Sequence, residues 1–82
     1  MRVRVLYFAA VRDLAGREEE SVELPASVRT VADFAGWIPR HHLALAGRMT
    51  SVRIARNESF ADDREALAEG DVLALIPPVA GG

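Results

Sequence analysis

The sequence contains no cysteine and no lysine. The absence of cysteine excludes a disulfide, a thiolate metal site and a cysteine nucleophile. The absence of lysine leaves no side-chain amine to accept an isopeptide bond, so the chain cannot form lysine-linked chains with itself. The apolar run at residues 5–11 is much shorter than the roughly 20 residues that span a bilayer, and it lacks a signal-peptide cleavage site. We therefore expect a cytoplasmic protein with no membrane partner.

The charge balance argues against nucleic acid as a partner. The formal net charge of the 82 residues is -2, and the ten arginines form no basic stripe along the sequence. Half of the residues are hydrophobic, which is enough for the core of one domain.

The polar residues form no recognisable catalytic or metal-binding pattern. His41 and His42 are adjacent, so on a helix they would point about 100° apart and could not face one metal ion. Residues 18–20 (EEE) and 62–63 (DD) are expected to be solvated turns or edges rather than catalytic carboxylates. We therefore predict no metal site and no bound cofactor.

The first part of the chain predicts a strand, a helix and a second strand. Residues 2–8 begin with alternating polar and apolar side chains, as in a strand with one buried face. Residues 9–15 favour a short helix, and Gly16 suits its carboxyl end. Residues 18–24 predict a short charged strand at a sheet edge, where charge discourages pairing with other chains.

The main helix is predicted to begin at Thr30. Thr30 and Asp33 have the spacing of a capping box, with aspartate in place of glutamate. An apolar stripe at helical spacing follows. Pro39 disfavours helical geometry in the residue before it, so it should end or kink the helix at Ile38.

The second half of the chain predicts two more strands. Residues 50–56 form one strand and residues 57–59 a turn, while residues 60–68 are expected to be mostly irregular or one helical turn. Residues 72–76 are apolar on both faces, as in a central strand that is parallel to a neighbour.

This order of elements predicts an α+β, β-grasp (ubiquitin-like) fold with a mixed sheet and one main covering helix. The most apolar strands, the first and the last, would lie side by side in the middle. A ferredoxin-like fold would need a second full helix between the later strands. We expect a β-grasp domain over residues 1–76 and a flexible, extended carboxyl-terminal tail over residues 77–82.

A single covering helix leaves the other face of the sheet open. Phe8 shares the strand parity of Arg2 and Arg4, on the side away from the core. If Ile76 and Phe60 lie on the same side, the three form an exposed apolar patch, which normally marks a partner surface. Alternatively, a loop covers these side chains or they belong to the core.

The end of the sequence is its most informative segment. It reads Pro77, Pro78, Val79, Ala80, Gly81 and Gly82. Glycines bury no side chain, but they form a narrow tether that can pass through a channel too tight for a Cβ atom. The α-carboxylate of Gly82 is ionised at pH 7 and can attack an activated phosphate such as that of ATP. Gly82 is therefore the candidate working group, the alternative being an inert end with accidental glycines.

Five segments of the chain resemble one known family. They are residues 5–9 (VLYFA), 11–16 (VRDLAG), 30–34 (TVADF), 67–72 (LAEGDV) and 75–82 (LIPPVAGG). They resemble the small, sulfur-carrying subunit of molybdopterin synthase, the MoaD family, over nearly the whole chain. The middle departs from the family pattern, because Pro39, His41 and His42 interrupt a helix that usually runs longer.

The resemblance implies a carrier mechanism whose catalytic side chains lie in partner proteins. A separate adenylyltransferase would consume ATP to activate the Gly82 carboxylate, and a sulfur donor protein would convert it to a thiocarboxylate. The large synthase subunit would accept the tail and pass the sulfur to cyclic pyranopterin monophosphate. Two carriers and two large subunits are the assembly that the resemblance implies.

The resemblance also assigns docking residues. Phe8, Phe60 and Ile76 match the hydrophobic docking surface of the family, and Arg12 matches an arginine that docks to the activating enzyme. Other functions share the same fold and tail. They are a sulfur carrier for thiamine or cysteine synthesis, a ubiquitin-like protein modifier, and a plain interaction domain whose tail does nothing.

Overall fold

Five strands form one mixed sheet in the computed structural model, which describes residues 1–78. They are β1 (Arg2–Tyr7), β2 (Glu19–Glu23), β3 (Arg53–Arg56), β4 (Ser59–Phe60) and β5 (Val72–Ile76). Their order across the sheet is β2-β1-β5-β3-β4. β1 and β5 run parallel, and the other neighbouring strands are antiparallel. The predicted β-grasp arrangement, with the first and last strands paired in the middle, is confirmed.

The two α-helices begin and end with the predicted signals. α1 (Ala9–Ala15) ends at Gly16, which has a φ of 76° and donates its N–H to the carbonyl oxygen of Arg12. α2 (Val31–His41) begins with the capping box, in which the Thr30 hydroxyl and the Asp33 carboxylate each accept a backbone N–H of the other residue. A short 3-10 helix (Leu43–Leu45) follows α2.

Of the two predicted effects of Pro39, an end or a kink of α2 at Ile38, the end is wrong, because the helix continues to His41. Two contacts hold the additional turn. The His42 N–H donates to the carbonyl oxygen of Ile38 at 2.9 Å, and the His41 ring stacks on Trp37 with ring centroids 4.9 Å apart. Pro39 has no N–H, so α2 lacks one helical hydrogen bond at this residue.

The core lies between α2 and one face of the sheet. Val3, Val5 and Tyr7 alternate with exposed arginines along β1 and face this core. Phe34 and Ile38 project from α2 into the same layer and are fully buried. The alternate, buried side chains of β1 and the apolar stripe of α2 therefore pack together in one hydrophobic cluster, as the sequence pattern predicts.

β4 is an element that the sequence interpretation missed. Residues 57 and 58 both have positive φ, 50° for Asn57 and 73° for Glu58, and they form the two-residue turn between β3 and β4. Phe60 therefore pairs with Ala55 instead of lying in an irregular segment. A two-residue strand is too short to give a periodic signal.

Asp71 fixes this hairpin to the start of β5. Its side chain is 5% exposed and accepts hydrogen bonds from Arg56, Asn57 and the backbone N–H of Ala68. In return, the Asn57 side-chain oxygen accepts the N–H of Val72 at 2.9 Å. The position of the hairpin therefore depends on one buried carboxylate.

The described residues contain no helix that is both long and apolar enough to cross a membrane. β5 ends at Ile76, and Pro77 and Pro78 follow it. The rest of the predicted tail, residues 79–82, lies outside the described residues.

Candidate functional site

The open face of the sheet carries a row of apolar residues, one from each of four strands. Across β1, β5, β3 and β4 the row consists of Leu6, Ala74, Ala55 and Phe60, which are neighbours in the strand register. Directly paired residues project to the same side of a sheet. Because the two middle residues are alanines, the centre of the row is lower than its ends, and a hollow results.

Phe8, Phe60 and Ile76 surround this hollow, which has a volume of about 310 Å³. Phe8 is 46% exposed, Phe60 is 55% exposed and Ile76 is half-buried. The structure therefore brings together the three residues that the sequence placed in an apolar patch, and within residues 1–78 no loop or core packing hides the two phenylalanines. We call Phe8, Phe60 and Ile76, with the alanine floor between them, the apolar patch. Its use in docking stays a prediction.

Arg53 supports one wall of the apolar patch. Its guanidinium carbon lies 3.7 Å from the centre of the Phe60 ring. Such a cation–π contact contributes about 0.5–1 kcal/mol at an exposed site. Arg53 also pairs with Ile76 in the strand register, so it links two members of the patch. Sequence reasoning did not single out Arg53, Ala55 or Ala74, because their positions depend on the pairing of β3 with β4 and β5.

Arg12 lies beside the apolar patch. Phe8 is the residue before α1, and its carbonyl oxygen accepts the N–H of Arg12 at 3.3 Å. The exposed Arg12 guanidinium lies 3.4 Å from Glu18 Oε1. Arg12 and Phe8 line a second depression, on the β2 side of β1. Phe8 and Arg12 thus place an exposed aromatic ring beside a cation, the two types of group to which the family resemblance assigned docking roles.

The predicted tail starts at the apolar patch. Ile76 is both a wall of the patch and the last residue of β5, and Pro77 continues directly from it. Pro77 and Pro78 have fixed φ angles and favour an extended path. The candidate residues Val79, Ala80, Gly81 and Gly82 lie outside the described residues.

A second group of polar side chains lies on the opposite, helix-covered face. Glu20, His41 and His42 present their ligand atoms within 4.8 Å of one another. The prediction that adjacent histidines cannot face one ion is wrong here, because His42 caps α2 with a non-helical φ of -123° and ψ of 97°. The turn brings its ring within 4.7 Å of the His41 ring, centroid to centroid.

The prediction that residues 18–20 are solvated turns or edges agrees with the position of Glu20 in the edge strand β2, but the Glu20 side chain is only 12% exposed. Its carboxylate contacts His42 and accepts hydrogen bonds from the Tyr7 hydroxyl at 2.6 Å and from Arg17 at 3.0 Å. Burial raises the pKa of Glu20, but the hydrogen bonds from Tyr7 and His42 outweigh burial and hold the pKa below its usual value. Burial, followed by the hydrogen bond to Glu20, raises the pKa of Tyr7 well above its ordinary value.

The sequence did contain a signal for Glu20. It has the same strand parity as Val22 and Leu24, both of which are buried. An acidic residue on the core face of a strand needs a polar partner, since burying an unpaired charge is costly. That parity separates Glu20 from Glu19 and Glu23, which lie exposed on the other face and pair with arginines.

Comparison with known proteins agrees with the fold. The description of the ThiS family matches residues 5–82. The chain belongs to the ThiS family. Within this family it is 39% identical to the molybdopterin synthase sulfur carrier subunit of Chlamydomonas reinhardtii, over the whole of both chains. The predicted relationship to molybdopterin synthase small subunits is confirmed.

Solved structures of ThiS-like proteins have the same fold. The crystal structure of SAMP1 from Haloferax volcanii matches with a TM-score of 0.85 and 31% identity over the whole of both chains. One chain of the complex between subunits 1 and 2 of molybdopterin-converting factor from Helicobacter pylori also matches. Its TM-score is 0.71 and its identity is 25%, over the whole of both chains. A chain with this fold therefore occurs in an assembly of two different subunits.

Proposed function

We propose that this chain is a sulfur carrier for molybdopterin synthesis, with the carboxylate of Gly82 as the group that carries the sulfur. One geometric observation carries the proposal: Ile76 is both a wall of the apolar patch and the residue from which the tail departs. A partner that binds the patch is therefore held next to the tail. The sulfur carrier subunits among its relatives support the same function.

The proposed chemistry has three steps, and the activating enzyme and the sulfur donor belong to the proposal. The Gly82 carboxylate attacks the α-phosphate of ATP in an adenylyltransferase and displaces pyrophosphate. A sulfur donor protein then delivers hydrosulfide, which attacks the acyl carbon, displaces AMP from the acyl-adenylate and leaves a thiocarboxylate. In the large synthase subunit the sulfur moves to cyclic pyranopterin monophosphate, and water restores the carboxylate. The chain itself supplies the acyl group and the docking surface, and it would work in the cytoplasm.

The length of the tail is compatible with chemistry that takes place in the active site of a partner protein. The six residues from Pro77 to Gly82 can span at most about 20 Å, which is enough to enter the active site of a bound partner. The apolar patch fixes where the tail starts, so the carboxylate searches only a small volume once the partner is docked. Phe8 and Phe60 serve both partners as aromatic anchors, and Arg12 adds charge recognition of the activating enzyme.

The proposal is tested by intact-mass measurement. The chain is incubated with a molybdopterin-pathway adenylyltransferase, ATP and a sulfur source, and its mass is compared with that of a variant lacking Gly82. We expect the full chain to exchange one oxygen for one sulfur, and the shortened chain to remain unchanged while keeping its thermal unfolding midpoint. Sulfur loading of the shortened chain would contradict the assignment to Gly82.

A second function is favoured by one comparison. SAMP1 from Haloferax volcanii shares 31% identity and the fold, and close structural relatives are called small archaeal modifier proteins. A protein modifier would use the same activated carboxylate to acylate lysines of other proteins. Mass spectrometry of proteins from host cells separates the two functions, because a modifier leaves glycine-linked adducts on other proteins, whereas a carrier leaves thiocarboxylate on its own chain.

A further inference from the structure

The group formed by Glu20, His41 and His42 has a composition that a structural role alone does not require. These are the only two histidines of the chain, and both converge on one carboxylate. The three residues come from different parts of the fold: the edge strand β2, the last turn of α2 and the residue that caps α2. We call Glu20, His41 and His42 the two-histidine cluster.

One of the distances between ligand atoms matches that in a tetrahedral site. Bonds of about 2.0–2.1 Å to nitrogen or oxygen put the ligands of tetrahedral zinc about 3.3–3.5 Å apart. Nε2 of His41 lies 3.5 Å from Oε1 of Glu20. Nε2 of His42 contacts the same oxygen directly, so an ion would replace this contact by two metal–ligand bonds. Two imidazoles and one carboxylate suit zinc and its neighbours better than magnesium or calcium, which prefer oxygen ligands.

Surrounding side chains hold the three ligands in place. Trp37 stacks on the His41 ring, and Tyr7 meets the His42 ring edge-on with centroids 5.4 Å apart. The Tyr7 hydroxyl donates to Oε1 of Glu20, and Arg17 donates to Oε2. Oε1 has a second lone pair for a metal ion, while Arg17 fixes the orientation of the carboxylate. Hydrogen-bonded carboxylates of this kind are typical of metal ligands.

We propose that Glu20, His41 and His42 bind one divalent transition-metal ion of the zinc class. The side chains of Glu20 and His42 are 12% and 17% exposed, whereas that of His41 is 36% exposed, so solvent reaches the cluster from the His41 side and can supply a fourth ligand. The bound ion would tie the edge strand β2 to the end of α2. The site lies on the helix-covered face of the sheet, whereas the apolar patch lies on the open face, so metal binding does not depend on the proposed sulfur chemistry.

The test is a zinc titration of the untagged, metal-free full chain by calorimetry. We expect one zinc ion to bind per chain. His41→Gln and His42→Gln should each weaken zinc binding about 100-fold or more, because even mutation of a residue that only supports a metal ligand typically lowers metal affinity 10–100-fold. Glu20→Gln should also weaken it. Glu19→Gln is the matched control, because Glu19 is exposed on the same strand and pairs with Arg4, and its affinity should be unchanged.

A second readout is the thermal unfolding midpoint, which zinc at about 100 times its dissociation constant should raise by roughly 10 °C or more in a domain of this size. Circular dichroism without metal shows whether each variant folds. If the variants of Glu20 and His42, which are the more buried residues, do not fold, the zinc affinity of the His41→Gln variant tests the site. No binding by the wild-type chain at millimolar zinc, or equal affinity in the His41→Gln variant, would overturn the proposal.

Discussion

Replacing Asp71 by alanine should destabilise the fold by about 3 kcal/mol. The two shortest hydrogen bonds of this carboxylate come from Arg56 Nε at 2.6 Å and from the N–H of Ala68 at 2.8 Å. A hydrogen bond to a charged group contributes about 1.5–3 kcal/mol. The low end applies to each bond, because the Arg56 side chain is 27% exposed and water can replace the lost partner. The bonds from Arg56 and Asn57 to Asp71 hold the hairpin that carries Phe60.

The measurement is urea and thermal unfolding followed by circular dichroism. A loss of about 3 kcal/mol should lower the unfolding midpoint by roughly 12–24 °C in a domain of this size. Asp63→Ala is the matched control, because Asp63 is exposed, and its cost should stay below about 0.5 kcal/mol. A loss below about 1 kcal/mol for Asp71→Ala would refute the view that this carboxylate anchors the hairpin.

The stabilisation that Asp71 provides should depend on pH. Burial raises the pKa of Asp71, but the bonds from Arg56, Ala68 and Asn57 outweigh burial and hold the pKa below its ordinary value. A carboxyl group whose pKa is lowered in the folded state stabilises the fold above its unfolded pKa of about 3.9, and that stabilisation is lost as the pH falls through the folded pKa. The difference in stability between wild type and Asp71→Ala should therefore be constant near pH 7 and shrink in acid below about pH 4.

Two further predictions concern docking and the main helix. Phe8→Asp should weaken binding to the large synthase subunit by about 30-fold or more, since loss of an aromatic anchor costs about 2 kcal/mol. Leu43→Asp is the matched control, because Leu43 is 78% exposed in the 3-10 helix and does not line the apolar patch. Equal weakening by both variants in a calorimetric titration would contradict the assigned surface. Thr30→Ala should cost about 1 kcal/mol in urea unfolding by removing the side-chain half of the capping box, while Thr30→Ser should cost much less; equal losses would show that the cap contributes nothing.

Local sequence signals predicted the elements that carry them. The alternation in β1, the glycine after α1 and the capping box of α2 each depend on residues within one or two turns of each other, and all three are present. The parallel pairing of β1 with β5 could be predicted as well, because a strand with two apolar faces must lie in the middle of a covered sheet. Those elements already place Phe8 and Ile76 on the open face.

Features that depend on tertiary contacts could not be predicted in the same way. Pro39 lies inside α2 because Ile38 is buried and Trp37 stacks on His41, neither of which is visible in the local sequence. The convergence of His41 and His42 depends on the chain leaving the helix between them. β4, and with it the position of Phe60, depends on a two-residue turn of Asn57 and Glu58 with no glycine. In each case a contact in space outweighed a local preference.

The parallel pairing of β1 with β5 has a consequence for biosynthesis. The two central strands, β1 and β5, cannot pair until β5 has been translated, because Arg4 near the start of the chain pairs with Val72 in β5. A ribosome that stalls before residue 72 releases a chain without this strand, and the apolar face of β1 then has no neighbour on that side. Closing so long a loop also slows folding, compared with a fold built from local contacts. Copies cut short before residue 72 should therefore lack the apolar patch, because its wall residue Ile76 belongs to β5.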